Sequence, residues 1–249
     1  GVISERKNSM NNTIKLENKG HTQMIAHRGV CGLEPENTNA AFIAAGNRSY
    51  YGIESDVHKT ADGKFVIMHD GNTLRMTGDD IEIAKATYDT LRSLRLKQLD
   101  GNLGRTDLRI PSLEEYLQIC KHYGKKAILE LKDAFTAEDI AEICRIAQSL
   151  EYMENTVFIS FKMSNLLFLK EKYPDQAVQY LVDRPIEDAL IEELVERKMG
   201  IDARFDWFTE EIMHKCREKG VATNTWTVND PETAKKLIDW GIDYITSNI

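Results

Sequence analysis

From Gln23 onward the chain alternates short strand-like runs with amphipathic helical runs, and this alternation restricts the possible folds more than any other feature. The strand-like runs are Met24–His27, Ile53–Val57, Ala127–Lys132, Thr156–Phe161, Ala177–Val182, Gly200–Ala203, Val221–Val228 and Tyr244–Thr246. Helical segments lie between them: Thr38–Asn47, capped by Asn37 or Thr38; one capped by Ser112; one starting at Thr136; and one ending near Lys172. Three more follow at Pro185–Arg197, Thr209–Lys219 and Pro231–Trp240, the last two closed by Gly220 and Gly241. Strands joined by helices pair in parallel through right-handed crossovers, and eight such units close into a ring. The rival, an open doubly wound sheet, calls for G-x-G-x-x-G after the first strand, which is absent. The expected fold class is therefore α/β, a (β/α)8 TIM barrel, and a length of 249 residues suits one such domain.

Two stretches fall outside the pattern. Residues 71–110, punctuated by Gly71, Gly78, Gly101 and Gly104, read as a small insertion after the second strand with one short helix near Tyr88–Leu94. Residues 1–22 are polar and read as a flexible extension before a barrel domain at 23–249. They lack the apolar core of a signal peptide, yet Gly1 is not an initiator, so a removed signal stays open. The four cysteines are widely spaced with no C-x-x-C pair, which favours free thiols and a reducing, cytoplasmic compartment. A secreted or periplasmic location follows if a signal was removed. No run approaches the ~18 apolar residues of a membrane span. A net charge of −8 argues against a general nucleic-acid binder but leaves room for a local basic site that takes a small anion.

The second strand carries Glu54 and Asp56 between Ile53 and Val57. Alternation along a strand puts both carboxylates on one face, about 7 Å apart. Two acids on one face of an apolar strand are costly unless a cation joins them. Asp62-Gly63 then reads as a two-residue hairpin turn before Phe65–Met68, which sets Ala61 opposite Lys64 and Asp56 opposite His69. Taken alone, the hairpin reads equally as a sheet edge with polar residues on its wet face.

The other strand ends decide between these readings. In a barrel, function gathers at the C-terminal ends of the strands. Those ends carry His27 and Arg28, Glu54 and Asp56, Glu130 and Lys132, Phe161, Asn224 and Trp226, and Ser247 and Asn248. Glu54, Asp56 and Glu130 are oxygen ligands suited to Mg²⁺ or Ca²⁺. His27 and His69 flank them as proton carriers, while Arg28 and Lys132 suit a phosphate. The set describes metal-assisted phosphoryl chemistry. Cys31 has no assignable activating partner and is read as a bystander.

His27-Arg28-Gly29 with Pro35-Glu36-Asn37-Thr38, then Glu54-x-Asp56, His69-Asp70, Glu130-Leu131-Lys132 and Trp226-Thr227-Val228-Asn229 together resemble the glycerophosphodiester phosphodiesterase family. The resemblance covers Met24 to Asn248. It implies a barrel with an insertion after the second strand and one divalent cation, Mg²⁺ or Ca²⁺, on Glu54, Asp56 and Glu130. It also implies His27 and His69 as the general acid–base pair, without saying which is which. Arg28 and Lys132 would hold the phosphate, Trp226 and Phe161 would pack on the glycerol or alcohol, and Glu36 and Asn37 would order the loop after the first strand. The activity implied is hydrolysis of a small-molecule glycerophosphodiester to glycerol 3-phosphate and an alcohol. Two alternatives accompany it: a related barrel phospholipase acting on lysophospholipids or phosphoinositides, and a phosphate-ester binding module without turnover.

Overall fold

The computed structural model describes residues 19–249. The expected polar extension lies, from residue 1 to residue 18, outside them. Nine strands form: β1 (Gln23–Ala26), β2 (Gly52–Lys59), β3 (Phe65–Ile67), β4 (Lys126–Leu131), β5 (Thr156–Ser160), β6 (Val178–Val182), β7 (Gly200–Arg204), β8 (Thr223–Trp226) and β9 (Tyr244–Ser247). The parallel order β1-β9-β8-β7-β6-β5-β4-β2 closes on itself through a β1–β2 pairing, and β3 hangs antiparallel on β2 outside the ring. The eight-stranded parallel barrel expected from the alternation is the observed fold.

Alternation along each strand divides the apolar residues into two sets. Ile25, Ile128, Ile159 and Leu181 fill the barrel interior with Val157, Trp226 and Tyr244 around them. Their neighbours Ala26, Ala127, Leu129, Phe158 and Val182 face outward into the larger core beneath the helices. Toward or just past the ends of β1, β2 and β4 the inward positions carry ionisable groups: His27, Glu54, Asp56 and Glu130. On the β6–β9 side the interior is polar as well, with Asn224 Nδ2 donating to Gln179 Oε1 at 3.1 Å and the Thr246 hydroxyl donating to Asn224 Oδ1 at 3.1 Å.

The barrel helices are α1 (Asn39–Gly46), α4 (Leu113–Tyr123), α5 (Ala137–Ser149), α6 (Met163–Lys172), α7 (Asp188–Arg197), α8 (Glu210–Glu218) and α9 (Pro231–Asp239). Thr38 caps α1, and reciprocal capping boxes start α4 at Ser112 and α5 at Thr136. The helix expected from Pro185 begins later, at Asp188. Glu187 is its extended N-cap (φ −93°, ψ 154°), so the helical run starts at the next residue. Among the described residues no helix is long and apolar enough to cross a membrane.

The insertion is more ordered than its sequence suggests. Besides α3 (Tyr88–Ser93) it holds the short α2 (Leu74–Thr77) and a 3₁₀ turn at Ile83–Lys85. Met76, Ile83, Leu91, Leu96, Leu108 and Ile110 pack with Val66 and Met68 into a separate small core. Its helices were hard to read because they are short and carry no repeating apolar period.

The hairpin register also differs from expectation. Lys59 pairs with Phe65 and Val57 with Ile67, and Met68 N–H donates to the Asp56 carbonyl, so Asp56 stands opposite Met68 rather than His69. The loop is one residue longer than two. Gly63 N–H donates to the Thr60 carbonyl, Thr60 N–H to the Lys64 carbonyl, and Gly63 sits at φ +76°, a type I turn closed by a left-handed glycine.

Gly29 fixes the loop that leaves β1. It has φ +77°, and a Cβ there would lie 2.7 Å from the Ala41 carbonyl carbon in α1. Gly63 has a similar φ but open space around it. Urea unfolding should therefore show a loss of about 1–3 kcal/mol for Gly29→Ala and a smaller one for Gly63→Ala. Equal losses at the two positions would show that the approach to α1 is not what demands glycine.

Candidate active site

The residues singled out at the strand ends converge on one pocket at the barrel mouth. His27, Arg28, Glu54, Asp56, His69, Glu130, Lys132, Phe161 and Trp226 all line it. Their supports differ from one side of the mouth to the other.

On the β1 side, His27 Nδ1 is 2.6 Å from Asn248 Oδ1. The same oxygen accepts the Cys31 thiol at 3.1 Å, and the Asn248 backbone N–H donates to Asn229 Oδ1 at 2.9 Å. An oxygen in that place makes Nδ1 the donor, which leaves Nε2 as the bare nitrogen, 3.9 Å from Glu54 Oε2. Burial, aided by the Arg28 charge, pushes His27 down to about 4, so the ring is neutral near pH 7. Burial pushes the Cys31 thiol up to about 11, which removes it as a nucleophile.

The three carboxylates come from two adjacent strands. Glu54 and Asp56 project from β2, and Asp56 is in register with Glu130 on β4. One oxygen from each can be drawn within 4.8 Å of the other two. All three side chains are buried. Glu54 accepts the Arg28 backbone N–H at 2.9 Å, which requires Arg28 at φ +53°. Asp56 accepts Asn37 Nδ2 at 3.0 Å, and Asn37 is likewise left-handed at φ +53°. Lys132 Nζ is 3.4 Å from Glu130 Oε2. Burial first, then repulsion from Asp56 and Glu130, raises Glu54 well above the ordinary range; burial and Asp56 raise Glu130 to about 7. A divalent cation among these hard oxygens would relieve both causes, so the donor set fits the ion that the sequence pattern implies.

On the β3 side, His69 Nδ1 lies 2.7 Å from Asp70 Oδ1, and its Nε2 is 3.5 Å from Lys132 Nζ. Arg75 of α2 holds Asp70 through Nε at 2.8 Å. Hydrogen bonding from Arg75, then from His69, keeps Asp70 ionised with its carboxyl down at about 2. The backbone of His69 is held as well, since its carbonyl accepts His58 Nε2 at 3.0 Å while His58 Nδ1 meets Asp133 at 3.0 Å. Burial opposes the charge on His58, but Asp133 and the His69 carbonyl outweigh it and raise its pKa.

The far wall is apolar. Phe161 and Trp226 meet edge to face with centroids 6.0 Å apart, beside Ile159 and Leu181. Asp202 of β7 lines this wall, and its Oδ1 is buried without a partner among the described residues. Burial raises Asp202 well above the ordinary range. Sequence reasoning passed over Asp202, His58 and Arg75. Inward alternation could have flagged Asp202 in Gly200-Ile201-Asp202-Ala203, whereas no local pattern marks His58, whose carboxylate partner Asp133 is 75 residues away, or Arg75, which ties the nearby Asp70 to Glu36, 39 residues away.

A model of the glycerophosphoryl diester phosphodiesterase family matches residues 27–248. A phosphodiesterase of Oleispira antarctica, solved in complex with its product sn-glycerol-3-phosphate, superposes with a TM-score of 0.84 at 29% identity, covering 91% of this chain and 92% of that one. A glycerophosphodiester phosphodiesterase of Parabacteroides distasonis gives a TM-score of 0.76 at 29% identity, covering 93% and 94%. One from Caldanaerobacter subterraneus is 25% identical over 229 residues, which are 91% of this chain and 94% of that protein.

The raised carboxylates set a pH dependence. A group whose folded pKa is raised stabilises the fold below its unfolded pKa and loses that contribution as pH rises through the folded one. For Glu130 the window runs from 4.5 to about 7. Thermal unfolding of metal-stripped protein should show stability falling by on the order of 1–3 kcal/mol across this window. Glu130→Gln should flatten the slope, and added Mg²⁺ or Ca²⁺ should reverse it; a slope unchanged by both would refute the crowding of these charges.

Proposed function

Because the chain belongs to the glycerophosphoryl diester phosphodiesterase family and is a hydrolase of that class, we propose that it cleaves glycerophosphodiesters to glycerol 3-phosphate and an alcohol by metal-dependent acid–base catalysis. The observation that carries this reading is the meeting of three buried carboxylates, two histidines and two cationic side chains in one pocket. Glu54, Asp56 and Glu130 would hold the divalent cation, which when bound supplies charge stabilisation to an anionic diester.

The supports of the two histidines favour separate roles. A neutral His27 with a bare Nε2, its Nδ1 held by Asn248, suits the general base. It would take the proton of the glycerol 2-hydroxyl as that oxygen attacks phosphorus. His69, with Nδ1 against an ionised Asp70, suits the acid that hands a proton to the departing alcohol. Water would then open the resulting cyclic phosphate with the roles reversed. Arg28 and Lys132 would clamp the phosphate oxygens. Trp226 and Phe161 would offer an apolar wall to the carbon skeleton.

Turnover of glycerophosphocholine and glycerophosphoethanolamine should be abolished by EDTA and restored by Mg²⁺ or Ca²⁺. His27→Ala and His69→Ala should each lower kcat by ~10²–10⁴ with the fold intact. Near-wild-type rates in both variants would sink these assignments. Exposed Leu74, Leu99 and Leu103 on the insertion support a second reading, a diester that carries an acyl chain. A lysophospholipid therefore belongs in the same panel, and faster turnover of it than of the water-soluble diesters would favour that reading.

A further inference from the structure

Arg75 stands outside the pocket on a short helix of the insertion, yet its guanidinium joins the two catalytic loops. Its Nη1 and Nη2 donate to Glu36 Oε1 and Oε2 at 2.7 and 2.9 Å, and its Nε donates to Asp70 Oδ2 at 2.8 Å. Glu36 in turn accepts Arg28 Nη1 at 2.9 Å, and Asp70 meets His69 Nδ1 at 2.7 Å. One unbroken line therefore runs from Arg28 through Glu36, Arg75 and Asp70 to His69. It spans the loop after β1 and the loop after β3, which no backbone pairing connects beyond the ends of those strands.

The chemistry of the line singles out Arg75. Only a planar fork with donors on two edges can grip two carboxylates at once, and a lysine ammonium cannot reproduce that geometry. Without it, Glu36 would keep only Arg28 and Asp70 only His69, and the tie between the two loops would be gone. The pair at the surface adds little stability, since Arg75 is 48% exposed and such ion pairs contribute modestly. Its strength lies in geometry.

We infer that Arg75 is a positioning residue for proton delivery to the leaving alcohol, acting through Asp70 on the His69 ring. The inference rests on the phosphodiesterase reading above. In the step concerned, the bond from phosphorus to the leaving oxygen breaks, the electron pair stays on that oxygen, and the proton on His69 Nε2 passes to it. Lys132 faces the same nitrogen at 3.5 Å, so the Asp70 carboxylate at Nδ1 must be held in place to fix how the ring presents Nε2 to the leaving group.

The test compares two diesters of glycerol 3-phosphate: glycerophosphocholine, whose alkoxide needs a proton to depart, and the p-nitrophenyl ester, whose phenolate does not. The quantity read is the ratio of kcat/KM for the first to that for the second, which cancels any common loss of binding through Arg28. In Arg75→Ala this ratio should fall by at least ~10-fold, within the range of general-acid contributions. Arg75→Lys should recover part of it, and serves in place of the alanine variant should that one fail to fold. Asp70→Asn should lower the ratio in the same way, and the double variant should lose no more than Asp70→Asn alone. An unchanged ratio in the Arg75 variants, or additive losses in the double variant, would overturn the inference while the parent enzyme stays active. A parent that turns over neither diester would instead overturn the functional reading, and this inference with it.

Discussion

Three buried carboxylates, with one oxygen of each within 4.8 Å of the others, dominate the barrel mouth. Glu54, Asp56 and Glu130 are nearly wholly buried, and each repels the others across two adjacent strands. Much of the surrounding structure reads as a response to that charge. The backbone N–H of Arg28 turns into the left-handed region to reach Glu54, Asn37 does the same to bring its amide to Asp56, and Lys132 leans toward Glu130. Two non-glycine residues at positive φ within one loop are uncommon, and each meets a carboxylate that would otherwise lack a donor.

The acid cluster also divides the pocket. On one side the histidines stand in contrasting company: His27 against a neutral amide oxygen and His69 against a carboxylate. The two rings thus differ in what fixes Nδ1, an amide oxygen from a remote segment in one case and the adjacent carboxylate in the other. On the other side, Ile159, Leu181, Phe161 and Trp226 present carbon beside the buried Asp202, whose Oδ2 accepts Asn224 Nδ2 at 3.4 Å and whose Oδ1 has no partner among the described residues.

The insertion gives the mouth its outer brace. It carries a core of its own, so Arg75 projects from a packed unit rather than from a loose loop. A second contact, from Arg105 to Glu34 at 2.6 Å, fastens the same unit to the loop after β1. The two loops that bear His27 and His69 are therefore held from inside by the carboxylates and from outside by arginines.

Most of the architecture was legible in the chain. The eight strand-like runs, their helices and the pairs Glu54/Asp56 and Glu130/Lys132 follow from local periodicity, because alternation and helical period are properties of neighbouring residues. The same alternation put the charged residues at the inward ends of strands. What the sequence left undecided was everything set by packing between distant segments. Whether the hairpin loop holds two residues or three depended on the left-handed Gly63 and the Thr60–Lys64 pairing, and a shift of one residue put Met68, not His69, opposite Asp56. The start of α7 depended on the extended backbone of Glu187. The partners of His27, His58 and Arg75 lie many residues away in the chain, at Asn248, Asp133 and Glu36. Residue types and spacing could therefore name the side chains that gather in the pocket. Only the closed barrel, which brings remote loops within hydrogen-bonding distance, could decide what holds each of them and in which protonation state.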